Sequence, residues 1–83
     1  MSTQGTICGH HARLPRFAVN TAEGFSIVDV MIGQLEVGDH VSGNLWELGG
    51  AVLTNHTSGD IVEVFVEATH ASRASAESLL QSR

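Results

Sequence analysis

The chain predicts a mainly β domain: a small five- or six-stranded antiparallel barrel, SH3-like or OB-like, followed by a short C-terminal α-helix. Three observations carry that expectation. Turn residues punctuate the sequence about every eight to twelve positions. The segments between them are rich in Val, Ile, Leu and Phe. No connection is long enough for a crossover helix, which excludes parallel pairing.

Taken in order, residues 1–5 are expected to be a flexible N-terminus, and Thr6-Ile7-Cys8 a short strand. Leu14 to Val19 forms a second strand, whose Pro15 suits a strand start or an edge because proline donates nothing to a ladder. Asn20 to Gly24 is a hairpin loop. Phe25 to Ile32 places Val28, Val30 and Ile32 on one face and Phe25, Ile27, Asp29 and Met31 on the other. Both faces are apolar.

Glu36-Val37-Gly38-Asp39 turns the chain into a strand over Val41 to Leu48, joined at Gly49-Gly50 to another over Ala51 to Asn55. The stretch Val37-Gly38-Asp39-His40-Val41-Ser42-Gly43 resembles the approach to a barrel strand in many small β domains, S1-type OB folds among them. The resemblance covers seven residues and is a turn signature, since Gly-Asp ahead of an apolar strand is what hairpin geometry selects. On the strand from Val41, Trp46 shares a face with Ser42, Asn44 and Leu48, and points outwards if Val41, Gly43 and Leu45 are core.

Thr57-Ser58-Gly59 makes the last turn. Asp60 to Ala68 is the clearest strand, with Val62, Val64, Val66 and Ala68 as core and Ile61, Glu63, Phe65 and Glu67 opposite. Residues 72–82 read as a helix with Ser72 as N-cap and Ala76, Leu79 and Leu80 as an apolar patch. Such a short helix is marginal alone, so it either plugs one end of the barrel or meets a partner. A helix between the third and fourth strands, frequent in OB folds, has no room here. A plain meander is therefore favoured.

At 83 residues the chain supports a single domain, 1–83, with a small core. Its one cysteine, Cys8, excludes an intrachain disulfide. The first residues show neither a positive start nor an apolar run, and no segment approaches a membrane span. A soluble, cytoplasmic protein is expected.

Charge is segregated. Residues 1–20 hold Arg13 and Arg16 and no acid, whereas Glu23, Asp29, Glu36, Asp39, Glu47, Asp60, Glu63 and Glu67 stand in residues 21–70 without a base. Such a body repels phosphate backbones and anionic membranes. Nucleic acid is disfavoured as a partner, and no membrane partner is expected. The one foothold for a single-strand reading is Arg13, Arg16 and Phe17, which combine arginine with an aromatic ring. Pairing of those arginines with barrel acids is preferred.

Cys8-Gly9-His10-His11 offers ligand types that zinc takes, but without the paired spacing of a closed four-ligand site. Cys8, His10 and His11 are weak metal candidates, and His40, His56 and His70 read as turn residues. Asp29, Glu63 and Glu67 could share a face and do acid–base work if their register allows; a solvated or interfacial face is preferred. Asn55-His56-Thr57 matches a glycosylation sequon that matters only in a secreted protein. No cofactor motif is present.

Strands apolar on both faces, in a chain this short, call for cover from the helix, from another copy, or from both. The chain is therefore expected to be a non-catalytic, homo-oligomeric interaction module, presenting its acidic loops and the Arg13–Arg16 segment to a protein or small-molecule partner. Ile27, Met31, Trp46, Ile61 and Phe65 are the interface candidates. The alternatives are an OB-like single-stranded nucleic-acid binder and, more weakly, a small metal-binding protein or enzyme with a site between subunits.

Overall fold

The computed structural model describes residues 3–81. Six strands, β1 (Thr3–His10), β2 (Arg16–Thr21), β3 (Gly24–Ile32), β4 (His40–Gly43), β5 (Gly49–Asn55) and β6 (Ile61–Ala71), are followed by the helix α1 (Arg73–Gln81). Every paired neighbour is antiparallel, and the order β1-β2-β3-β6-β5-β4 closes into a barrel through the β1–β4 pair.

The topology is not the meander that the spacing favours, because β3 pairs with β6 and not with β4. The connection over residues 33–39 instead carries the chain to β4, which lies against β1. Backbone bonds hold it there: Ile7 N–H donates to the Asp39 carbonyl at 2.9 Å, and Gly38 N–H to the Ile7 carbonyl at 2.8 Å. Asp39 also reaches β5, since the Asn55 side-chain amide donates to its carboxylate at 2.7 Å. Asn55 is fully buried, and its own side-chain oxygen accepts from the N–H groups of Thr57 and Ser58 at 3.0 and 3.2 Å. One polar cluster thus ties the β3–β4 connection to the β5–β6 turn.

The barrel interior holds Val19, Val28, Val41, Leu53, Val62 and Val64, joined by Leu35 and Leu45 from the two connections that flank β4. The inner side chain Ser26 donates its hydroxyl to the Leu45 carbonyl at 2.7 Å. Burying Leu45 takes residues 44–48 out of the strand, so β4 stops at Gly43 rather than at Leu48. A Cβ at Gly43 would lie 2.6 Å from the Val52 carbonyl oxygen, so glycine permits the close approach of β4 to β5. Gly49 and Gly50, expected as a turn, are strand residues paired with Val66 and Phe65. β1 begins at Thr3, within the segment expected to be flexible; residues 1 and 2 of that segment lie outside the described residues.

Irregularities in the β3–β6 ladder move two residues from their expected face. Ile27 pairs with Ala68 but Val28 with Val66, so Glu67 is an extra residue and the bulge carries Ala68 to the outer side. Near the end of β3 the pairs Val30–Val64 and Ile32–Glu63 differ by one in the other direction, and Ile32 emerges into solvent.

Ser72 caps α1 as its sequence suggests: the Ser75 N–H donates to the Ser72 hydroxyl at 3.2 Å. The last expected helical position, residue 82, lies outside the described residues. The helix does not plug an end of the barrel. It lies against the outer wall, where Ala76 packs with Ala18 and Ile27, and Phe25, Ala68, Leu79 and Leu80 surround them. A Cβ on Gly9 would come within 2.9 Å of Leu80 Cδ1, so the missing side chain lets the helix close down. Each large side chain fully buried in this way contributes about 1.5 to 3 kcal/mol.

Candidate interaction surface

Around the barrel, the outer wall divides into sectors of different chemistry. On β2 and β3 the wall is covered by α1. Ile27 is completely buried there, so its cover comes from its own chain and it leaves the set of interface candidates. At the margin of the same sector Arg16 faces Asp29 across the β2–β3 ladder. Its Nε and Nη2 donate to the two carboxylate oxygens at 2.8 and 3.3 Å, while Nη1 reaches the Leu79 carbonyl of α1 at 3.4 Å. The hydrogen bond to Asp29 raises the Arg16 pKa further above its ordinary value, against the opposing effect of burial. Arg16 is therefore paired inside the chain, as preferred from the sequence.

The β1–β4 sector is polar. The Thr6 hydroxyl lies 3.1 Å from His40 Nδ1, and the Ser42 hydroxyl 2.7 Å from His56 Nε2. The two candidate histidines stand elsewhere, His10 at the end of β1 and His11 at the start of the β1–β2 loop. His11 is buried, and its Nδ1 accepts the N–H groups of Arg13 and Leu14 at 2.9 and 3.0 Å, which assigns the ring proton to Nε2. His10 turns the other way, tilted against Phe17 with ring centroids 6.3 Å apart, and Phe17 packs on the barrel core.

With Gly9, Leu14, Leu80 and Gln81, the residues His10, His11 and Arg13 line a groove of about 580 Å³ beside α1. Cys8 falls outside it. The register shift between Ile7 and Gly9 separates the thiol from the histidines, and Cys8 Sγ donates weakly to the Ala18 carbonyl at 3.5 Å. Partial burial pushes its pKa up. Among the described residues no three His, Cys, Asp or Glu side chains stand together as metal ligands. The bulge at Cys8 and the use of His11 Nδ1 by the loop backbone explain why adjacency in sequence does not become adjacency in space.

The outer face of β3, β6 and β5 is different again. Met31, Ile32, Val52, Ile61 and Phe65 are 61, 62, 56, 60 and 43% exposed there. Cross-strand pairs set the order: Asp29 with Phe65 and Phe65 with Gly50, then Ile32 with Glu63 and Glu63 with Val52. Apolar neighbours thus face Asp29 and Glu63 across the ladders, while Asp29 and Glu67 both act electrostatically on Arg16. Of the interface candidates, Met31, Ile61 and Phe65 lie on this face. Trp46 does not; it is half-buried in the β4–β5 connection, because the strand on which its outward direction was reckoned ends at Gly43.

Several contributors escape period-two reasoning. Period two directs Ile32 inwards, and only the bulge at Met31 exposes it. Val52 lies in a strand whose flanking Gly50 hides the alternation. Leu14 is 41% exposed in the β1–β2 loop, where it lines the groove beside α1; the Val30 N–H donates to the Pro15 carbonyl at 2.8 Å and so extends the β2–β3 pairing past Arg16. The loop-organising role of His11 has no signal in the sequence beyond its place beside a turn. No protein-family model matches the chain, and no curated protein or solved structure is detectably similar to it.

Proposed function

We propose that the protein is a non-catalytic interaction module whose working form is an oligomer, assembled through the outer face of β3, β6 and β5. The observation that supports this most directly is the grouping of Met31, Ile32, Val52, Ile61 and Phe65, all exposed, on one wall of the barrel. Contiguous apolar area of this kind is costly in water and marks interaction surfaces. Helix α1 covers the apolar wall of β2 and β3; of the large apolar side chains that stay exposed among the described residues, Leu14, Val37 and Leu48 stand in connections and the other five on this face.

Within one chain Cys8 stands outside the groove that His10 and His11 line, and a metal or catalytic site between subunits is kept as the weaker alternative. The nucleic-acid reading loses two of its three residues, Arg16 to Asp29 and Phe17 to the core. Sedimentation velocity at micromolar concentration tests the proposal. The wild-type chain should sediment as a species heavier than 8.8 kDa, and Phe65→Ser with Met31→Ser should return it to the monomer. A wild-type chain that sediments as a monomer throughout would refute the reading.

A further inference from the structure

We infer that the groove between the β1–β2 loop and the last turns of α1 is a binding site for a small monocarboxylate with an apolar body, whose anionic end Arg13 holds. The site lies apart from the β3–β6–β5 face and does not depend on the oligomeric reading. At about 580 Å³ it falls within the roughly 300 to 1,000 Å³ of small-molecule sites, which combine apolar walls with a few polar groups.

Both sides contribute apolar surface. Leu80 of α1 closes over Gly9, where an added Cβ would come within 2.9 Å of the Leu80 Cδ1, and Ala12 and Leu14 face the groove from the loop. The loop is fixed before any ligand arrives. His11 Nδ1 accepts the N–H groups of Arg13 and Leu14, and the His11 backbone N–H donates to the Arg16 carbonyl at 2.8 Å. Such preorganisation lowers the ordering cost of binding.

The charges select the ligand. Arg13 is exposed and lines the groove, and among the described residues it takes part in no ion pair, whereas Arg16 is held by Asp29. His10 in its neutral form offers an anion no proton: its Nδ1 lies 2.9 Å from the His11 carbonyl oxygen, which can only accept, so Nε2 carries a lone pair. The carboxylate therefore falls to the guanidinium, whose fork can hold it through two parallel N–H bonds. A second negative group is disfavoured, because Glu77 stands on the helix side of the groove and the chain carries a net charge of -5. A ligand ammonium is disfavoured as well, since Glu77 already pairs with Arg73 at 3.5 Å.

Titration with 3-phenylpropanoate, followed through the backbone amide resonances, tests the inference. Saturable shifts at Gly9, Arg13 and Gln81 with millimolar affinity or better are expected. The uncharged 3-phenylpropanamide, and phenylalanine with its added ammonium, should each bind roughly tenfold more weakly, and Arg13→Gln should weaken 3-phenylpropanoate binding by a similar factor. Circular dichroism checks the fold of that variant, and the ligand comparison on the wild-type chain decides the question if the variant does not fold. No saturable binding, shifts centred away from the groove, equal affinity for acid and amide, or unchanged affinity in folded Arg13→Gln would each overturn the proposal. Tighter binding of phenylalanine would overturn it in favour of a zwitterionic ligand. None of these results bears on the particle mass, so failure here and failure of the oligomeric reading are read separately.

Discussion

The Asn55 side-chain amide donates to the Asp39 carboxylate at 2.7 Å, with Asn55 fully buried and Asp39 nearly so. Because the same carboxylate oxygen accepts the Glu36 N–H at 2.9 Å, this contact fixes how the chain crosses from β3 to β4. Asn55→Ala would strand a buried carboxylate and two turn N–H groups. A loss of about 2 to 3 kcal/mol is expected, as for hydrogen bonds to charged groups. Urea denaturation followed by the fluorescence of the single tryptophan, Trp46, measures it.

The docking of α1 rests on Ala76, which is 3% exposed against Ala18 and Ile27. Ala76→Asp would press a carboxylate against Ala18 and Ile27, with only the exposed Arg73 of the same helix near it. The variant should either undock the helix or lose about 2 to 4 kcal/mol, and in both cases uncover Ile27. Increased binding of a hydrophobic dye, together with a lowered thermal midpoint, is the expected result.

The Arg16–Asp29 pair predicts a smaller effect. Both side chains are mostly buried, at 16 and 27% exposure, so the bond is screened less than a surface pair. Asp29→Ala should cost about 1 to 2 kcal/mol and loosen the end of α1 near Leu79. Because Arg16 is raised above an already high value, its contribution would be lost only as pH rises through that value. No pH dependence from this pair is expected in the working range.

Cys8 is exposed to reagents, yet its thiolate should be scarce at neutral pH. Its thiol is shifted upwards by burial, so less thiolate is present at neutral pH than in a free cysteine, and alkylation should lag behind a model thiol until the pH exceeds the ordinary thiol range. The sign for stability follows: whatever the protonated thiol contributes is intact below that range and is lost as pH rises through it. Added zinc should leave the thermal midpoint unmoved, since the neighbouring histidines do not share a site with the thiol.

The relation between sequence and structure can be traced residue by residue. Val62, Val64 and Val66 alternate without interruption, and their burial was legible because a strand has no other way to hide three β-branched side chains at period two. Ser72 was legible as a cap for a local reason, its distance from Ser75. Ala68 and Ile32 were misread because a bulge inserts one residue and reverses all later parity, and nothing in Glu67 or Met31 announces one. The pairing of β3 with β6 was hidden as well, since Asp39 and Asn55 become partners only across a long connection. Of the interaction surface, Met31, Ile61 and Phe65 were read from the sequence as apolar residues opposite a core face. Val52 joins them only through the pairing of β5 with β6 that the closed barrel sets.

Light scattering of the wild-type chain at micromolar concentration bears most directly on the central claim that the working unit is larger than one chain. The account predicts a particle heavier than 8.8 kDa. A particle of 8.8 kDa at every concentration would contradict it.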